Sequence, residues 1–101
     1  MTSGFPFPGS VTIQPPAAAA GSTIRAEVTF ADPTIAARIR RVEAEVPEYG
    51  YRFPLQPSDN RFSLETQVPW EAPAGRYRVF FYAYNTDGEA SAAQEVQFTV
   101  V

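Results

Sequence analysis

Arg76-Tyr77-Arg78-Val79-Phe80-Phe81-Tyr82-Ala83-Tyr84-Asn85 is the stretch on which the fold of this chain turns. Successive side chains of a strand point to opposite faces. With Tyr77, Val79, Phe81 and Ala83 directed into a core, Phe80, Tyr82 and Tyr84 must stand in a row on the other side. Thr86-Asp87-Gly88-Glu89 follows as a strong turn signal, and the run from Ala93 to Val101 supplies a further strand, so the stretch reads as the first arm of a closing hairpin.

Working back towards the N-terminus, the period of two persists. Phe62, Leu64, Thr66 and Val68 alternate with Ser63, Glu65 and Gln67, and Ile24, Ala26, Val28 and Phe30 alternate with Arg25, Glu27 and Thr29. Asp32-Pro33 ends the second of these runs. The next run places Ile35, Ala37 and Ile39 on odd positions and Val42, Ala44 and Val46 on even ones. A β-bulge at Arg40-Arg41 keeps both halves facing the core; the alternative is a turn of helix over Thr34 to Arg38 before the strand begins. Tyr49, Tyr51, Phe53 and Leu55 form a shorter piece whose Pro54 suits a sheet edge, and Pro57-Ser58-Asp59-Asn60 reads as a turn.

Val11-Thr12-Ile13 is a short first strand, preceded by an extended lead-in over residues 1–10 with Gly4, Pro6, Pro8 and Gly9 spaced around Phe5 and Phe7. Pro15 to Ser22, with four alanines between two prolines and Gly-Ser, is too short for a stable helix and reads as a loop. The sum is seven strands at regular spacing with turn signals between them, an all-β, antiparallel sandwich formed by residues 1–101 as one domain.

Pro73-Ala74-Gly75-Arg76-Tyr77-Arg78-Val79, followed by Ala83-Tyr84-Asn85-Thr86-Asp87-Gly88, resembles the sixth-strand signature of fibronectin type III and bacterial immunoglobulin-like domains. Ala20 to Ile24, leading to Phe30-Ala31-Asp32, is similar to the second strand of such bacterial modules. The resemblance implies a seven-stranded immunoglobulin-like (fibronectin III-like) β-sandwich, and it implies that Tyr77 is a tyrosine corner whose hydroxyl bonds to backbone a few residues upstream. The chain departs from fibronectin III in having no tryptophan on the second strand. It departs from antibody-type domains in having neither cysteines nor a third-strand tryptophan.

Composition narrows the chemistry. The chain has 101 residues, 45% apolar and 14% aromatic, which is enough for a continuous core. Cysteine and histidine are absent and all eight basic residues are arginine. Thiolate and imidazole metal sites, histidine general bases and lysine Schiff bases are therefore unavailable. No cofactor is implied. The net charge is -3, and the arginines form no stripe along which a phosphate backbone would lie, so nucleic acid is not an expected partner. No apolar window reaches the length of a membrane span.

The outward row Phe80, Tyr82 and Tyr84 is the sharpest anomaly. In this fold Arg38, Glu43 and Glu45 are expected on one side of it and Gln97 and Thr99 on the other, a mixture of aromatics and arginine seen in interface cores. Three readings stay open: arginine stems cover the rings, a partner protein covers them, or they stack on sugars. Trp70, in the loop from Pro69 to Gly75, either plugs the open end of the sandwich or makes a contact with a sugar or partner. Asp32, Asp59-Asn60 and Asp87-Gly88-Glu89 are explained as turn formers rather than calcium ligands. Glu43 and Glu45 share one face, but a flat sheet has no desolvated pocket to split their acidities for acid-base work.

These features describe a non-catalytic module for protein contact or domain spacing in a larger extracytoplasmic bacterial protein. Its expected partners are neighbouring domains or another protein, with self-association as one form, in an extracellular, periplasmic or cell-surface setting. The alternative is a carbohydrate-binding accessory module of a glycoside-active enzyme, using Trp70 or Tyr82 and Tyr84 on a polysaccharide.

Overall fold

The computed structural model describes residues 5–58 and 61–101; Gly4 of the lead-in and Asp59-Asn60 of the expected turn lie outside them. Among the described residues there are nine strands and one short helix: β1 (Ser10–Gln14), β2 (Ala17–Ala18), β3 (Thr23–Thr29), α1 (Pro33–Arg38), β4 (Ile39–Val46), β5 (Tyr51–Pro54), β6 (Gln56–Ser58), β7 (Arg61–Gln67), β8 (Gly75–Asn85) and β9 (Gln94–Val100). They form two sheets, of order β1-β3-β7-β6 and β2-β9-β8-β4-β5. All pairings are antiparallel except that of β2 with β9.

The expected count of seven strands is corrected to nine, and both additions lie where prolines obscured the pattern. Ala17 and Ala18, read as loop, pair in parallel with Thr99 and Val100, and Ala18 is buried. A two-residue strand leaves no periodicity to detect. The piece from Tyr49 to Leu55 does not stay in one sheet. Tyr51–Pro54 pairs with β4, the chain crosses at the buried Leu55, and Gln56–Ser58 pairs with β7 in the opposite sheet. Pro57 and Ser58 are thus strand rather than turn.

Both readings of the Thr34–Arg41 region contribute. Residues Pro33–Arg38 are helical, with the Asp32 carboxylate accepting from the Thr34 N–H at 2.9 Å and Pro33 in the first turn. Asp-Pro is a helix start as well as a strand end, because the aspartate caps a free N–H and proline has none to leave unpaired. The bulge is also present, as a register shift between Ile39 and Arg41 against β8.

The core lies between the sheets and takes Ala26 and Val28 from β3, Val42, Ala44 and Val46 from β4, Phe62 from β7, Tyr77, Val79, Phe81 and Ala83 from β8, and Phe98 and Val100 from β9. Every inward residue expected on β8 is buried. Phe81 has no exposed surface, and truncating such a ring typically costs about 3–5 kcal/mol. The Tyr77 hydroxyl donates to the Pro73 carbonyl at 2.5 Å, four residues upstream. From the lead-in, Phe5 and Phe7 pack against the core edge, and the Phe5 carbonyl accepts from the Ala92 N–H at 2.7 Å.

Candidate functional site

The outer face of the five-stranded sheet is built by register. Phe80 stands between Glu45 of β4 and Glu95 of β9, Tyr82 lies opposite Glu43, and Tyr84 lies opposite Arg41. One strand further, Glu45 faces Arg52 and Glu43 faces Pro54. All three rings of the row are half-buried rather than free.

Arginines lie near two of the three rings. The Arg41 guanidinium lies 4.2 Å from the centre of the Tyr84 ring, and that of Arg78 lies 6.0 Å from the centre of Phe80. The same arginines engage carboxylates: Arg41 with Glu43 at 3.6 Å, Arg78 with Glu48 at 3.8 Å, and Arg52 with Glu45 at 2.8 Å. The hydrogen bond and charge of Glu45, with the charge of Glu43 behind it, raise the Arg52 pKa further above its ordinary range. Three arginines thus meet three glutamates around two partly open rings. Exposed pairs of this kind add about 0–1 kcal/mol each, so their main consequence is a charge-balanced, patterned surface. Glu43 and Glu45 are both held in ion pairs.

Three expected placements need correction. Arg38 does not flank the row: it closes α1, and its carbonyl accepts from the Thr86 N–H of the hairpin turn. The flanking position belongs to Arg41, because the bulge shifts the register by one residue there. Gln97 and Thr99 lie opposite Arg78 and Arg76, so the neighbour of Phe80 on that side is Glu95. Trp70 is no plug. It is 77% exposed, with its indole laid against Gly21, whose φ of 84° and bare Cα make room for the ring.

The sequence reading missed an aromatic cluster at the same end of the sandwich as the tyrosine corner. Tyr49 stacks on Tyr51 at 6.2 Å and leans on Tyr77 at 5.0 Å. Burial, the charge of Glu71 and a hydrogen bond to it push the Tyr51 hydroxyl above its ordinary pKa. Their odd-numbered spacing was visible, but the contact with Tyr77 is long-range. Between the sheets lies an apolar void of about 80 Å³ lined by core residues such as Ala44, Leu64, Phe81 and Phe98. It is well below the roughly 300 Å³ of a small-molecule site and belongs to core packing.

No family model matches the chain, and no curated protein matches it by sequence. Among solved structures it is similar to part of a polysaccharide lyase, with a TM-score of 0.60 and 17% identity over 92% of this chain. The likeness is one of fold. The matched region amounts to 12% of the lyase chain.

Proposed function

We propose that this chain is a non-catalytic, immunoglobulin-like accessory module of a larger carbohydrate-active protein, and that it holds a neighbouring domain of the same polypeptide against the outer face of its five-stranded sheet. The observation that carries the reading is the face around Phe80 and Tyr82, where half-open aromatic rings sit among matched arginines and glutamates. Interfaces between domains of one chain are more polar than obligate ones, and a charge-balanced aromatic face suits such a contact. The match to 12% of a lyase chain supports the setting, since a domain of this size there is one part among many. The sheet order, with Tyr77 bonded to Pro73, supports the immunoglobulin-like type.

The test is thermal unfolding of the native polypeptide that carries this module with its adjacent domain. Replacing Phe80 by Ser and Tyr82 by Thr is expected to split a coupled transition into two while the isolated module keeps its own midpoint. Retention of a single coupled transition in the double variant would contradict the contact.

A further inference from the structure

The bulge that sets Arg41 beside the row has a chemical consequence at the hairpin end of the same face. Ile39 is opposite Asn85 and Arg41 is opposite Tyr84, so Arg40 is the extra residue. Ile39 and Val42 on either side are buried, whereas Arg40 and Arg41 are both exposed. Bulges commonly re-aim side chains in this way. Both arginines line one hollow of about 270 Å³, completed by Tyr84, Asn85 and Gly88.

Arg41 and Asn85, two parts of this hollow, are held in place. Arg41 is stacked on the Tyr84 ring at 4.2 Å, and its only ion pair among the described residues is the 3.6 Å contact from its Nε to Glu43. Arg40 has no ion pair among the described residues. The facing wall is fixed by Asn85, whose Oδ1 accepts from the N–H groups of Asp87 and Glu89 at 3.0 and 2.9 Å. Its Nδ2 donates to the Glu89 carboxylate at 2.9 Å, which engages that hairpin acid locally. Two exposed arginines thus line one shallow recess on a chain whose net charge is -3.

We infer that Arg40 and Arg41, brought to one hollow by the bulge with Arg41 stacked on Tyr84, bind the carboxylate of an acidic sugar unit in a polysaccharide. Guanidinium forks match carboxylates in plane, and a guanidinium already stacked on a ring loses little freedom on binding. The choice of a saccharide rests on the carbohydrate-active setting proposed above. The site lies beyond Tyr82 at the hairpin end, leaving the Phe80 and Tyr82 contact to the neighbouring domain.

The test is an amide-resolved NMR titration of the whole chain with oligogalacturonate, its methyl ester and poly-glutamate, repeated on Arg40→Gln and Arg41→Gln. Shifts are expected at Arg40, Arg41, Tyr84 and Gly88 with the free acid, about tenfold weaker binding in each variant, and loss of binding with the ester. Arg40, the unpaired bulge residue, provides a variant that leaves the β4–β8 ladder intact, and the amide spectrum itself reports the fold. Three results would overturn the inference: no shifts at these residues, equal binding of the ester, or equal binding of poly-glutamate. None of them alters the coupled unfolding with an adjacent domain, so the two proposals fail separately.

Discussion

Replacing Tyr77 by Phe removes one hydroxyl from the corner where the loop after β7 enters β8. The ring stays, because it is buried against Tyr49 and the core, so the change isolates the bond to the Pro73 carbonyl. A net intramolecular hydrogen bond contributes about 0.5–1.5 kcal/mol, and an orphaned buried partner would cost more. Pro73 is exposed, so its freed carbonyl can turn to water. The expected loss is therefore about 1 kcal/mol, equivalent to a melting temperature about 4–8 °C lower for a domain of this size. Urea unfolding should show a lower midpoint with an unchanged slope, since the buried surface is the same. Tyr82→Phe, on the outer face and without a hydroxyl bond among the described residues, is the control and should melt with the parent. An unchanged midpoint for Tyr77→Phe would refute the assignment of the corner as a stabilising bond.

Other expectations follow from the same structure. Ser91 is buried, accepting from the Ala83 N–H at 3.0 Å and donating to the Ala92 carbonyl at 2.9 Å, so Ser91→Ala strands a buried N–H and should cost about 1–3 kcal/mol in chemical denaturation. Burial, followed by interactions with neighbouring groups, raises Tyr77 above its ordinary pKa of 10.0. The folded state thus keeps a proton that the unfolded chain releases: the contribution is complete below about pH 10 and is lost as pH rises through the folded value. Stability measured from neutral to strongly alkaline pH should fall in that window, less steeply in Tyr77→Phe, with Tyr51 supplying part of the remaining slope.

Alternation made the sandwich legible wherever a strand had one buried and one wet face. β8 is the clearest case, and its four inward residues sit as parity demands. Parity failed where the backbone departed from a plain strand. Ile35 and Ala37 imitate a strand, yet the Asp32 cap and Pro33 start a helix there, and only Ala36 of that turn packs on the core. That helix moved Arg38 off the sheet, and the bulge then put Arg41 in its place. The candidate face was legible as a row of three aromatics, but its arginine partner was not, because a one-residue register shift has no signature in composition. Trp70 illustrates the opposite limit. A large ring beside prolines suggests closure of a core, whereas the contact with Gly21 that leaves it outside depends on a loop distant in sequence.

The central claim is that Phe80 and Tyr82 form a contact face for a neighbouring domain, and hydroxyl-radical footprinting reads it directly. Labelling of aromatic side chains would be compared between this module alone and the native polypeptide that carries it. The account predicts that Phe80 and Tyr82 become protected in the longer polypeptide, while Trp70, 77% exposed here, and Tyr84, at the hairpin end, label as before. Equal labelling of Phe80 and Tyr82 in the two samples would contradict it.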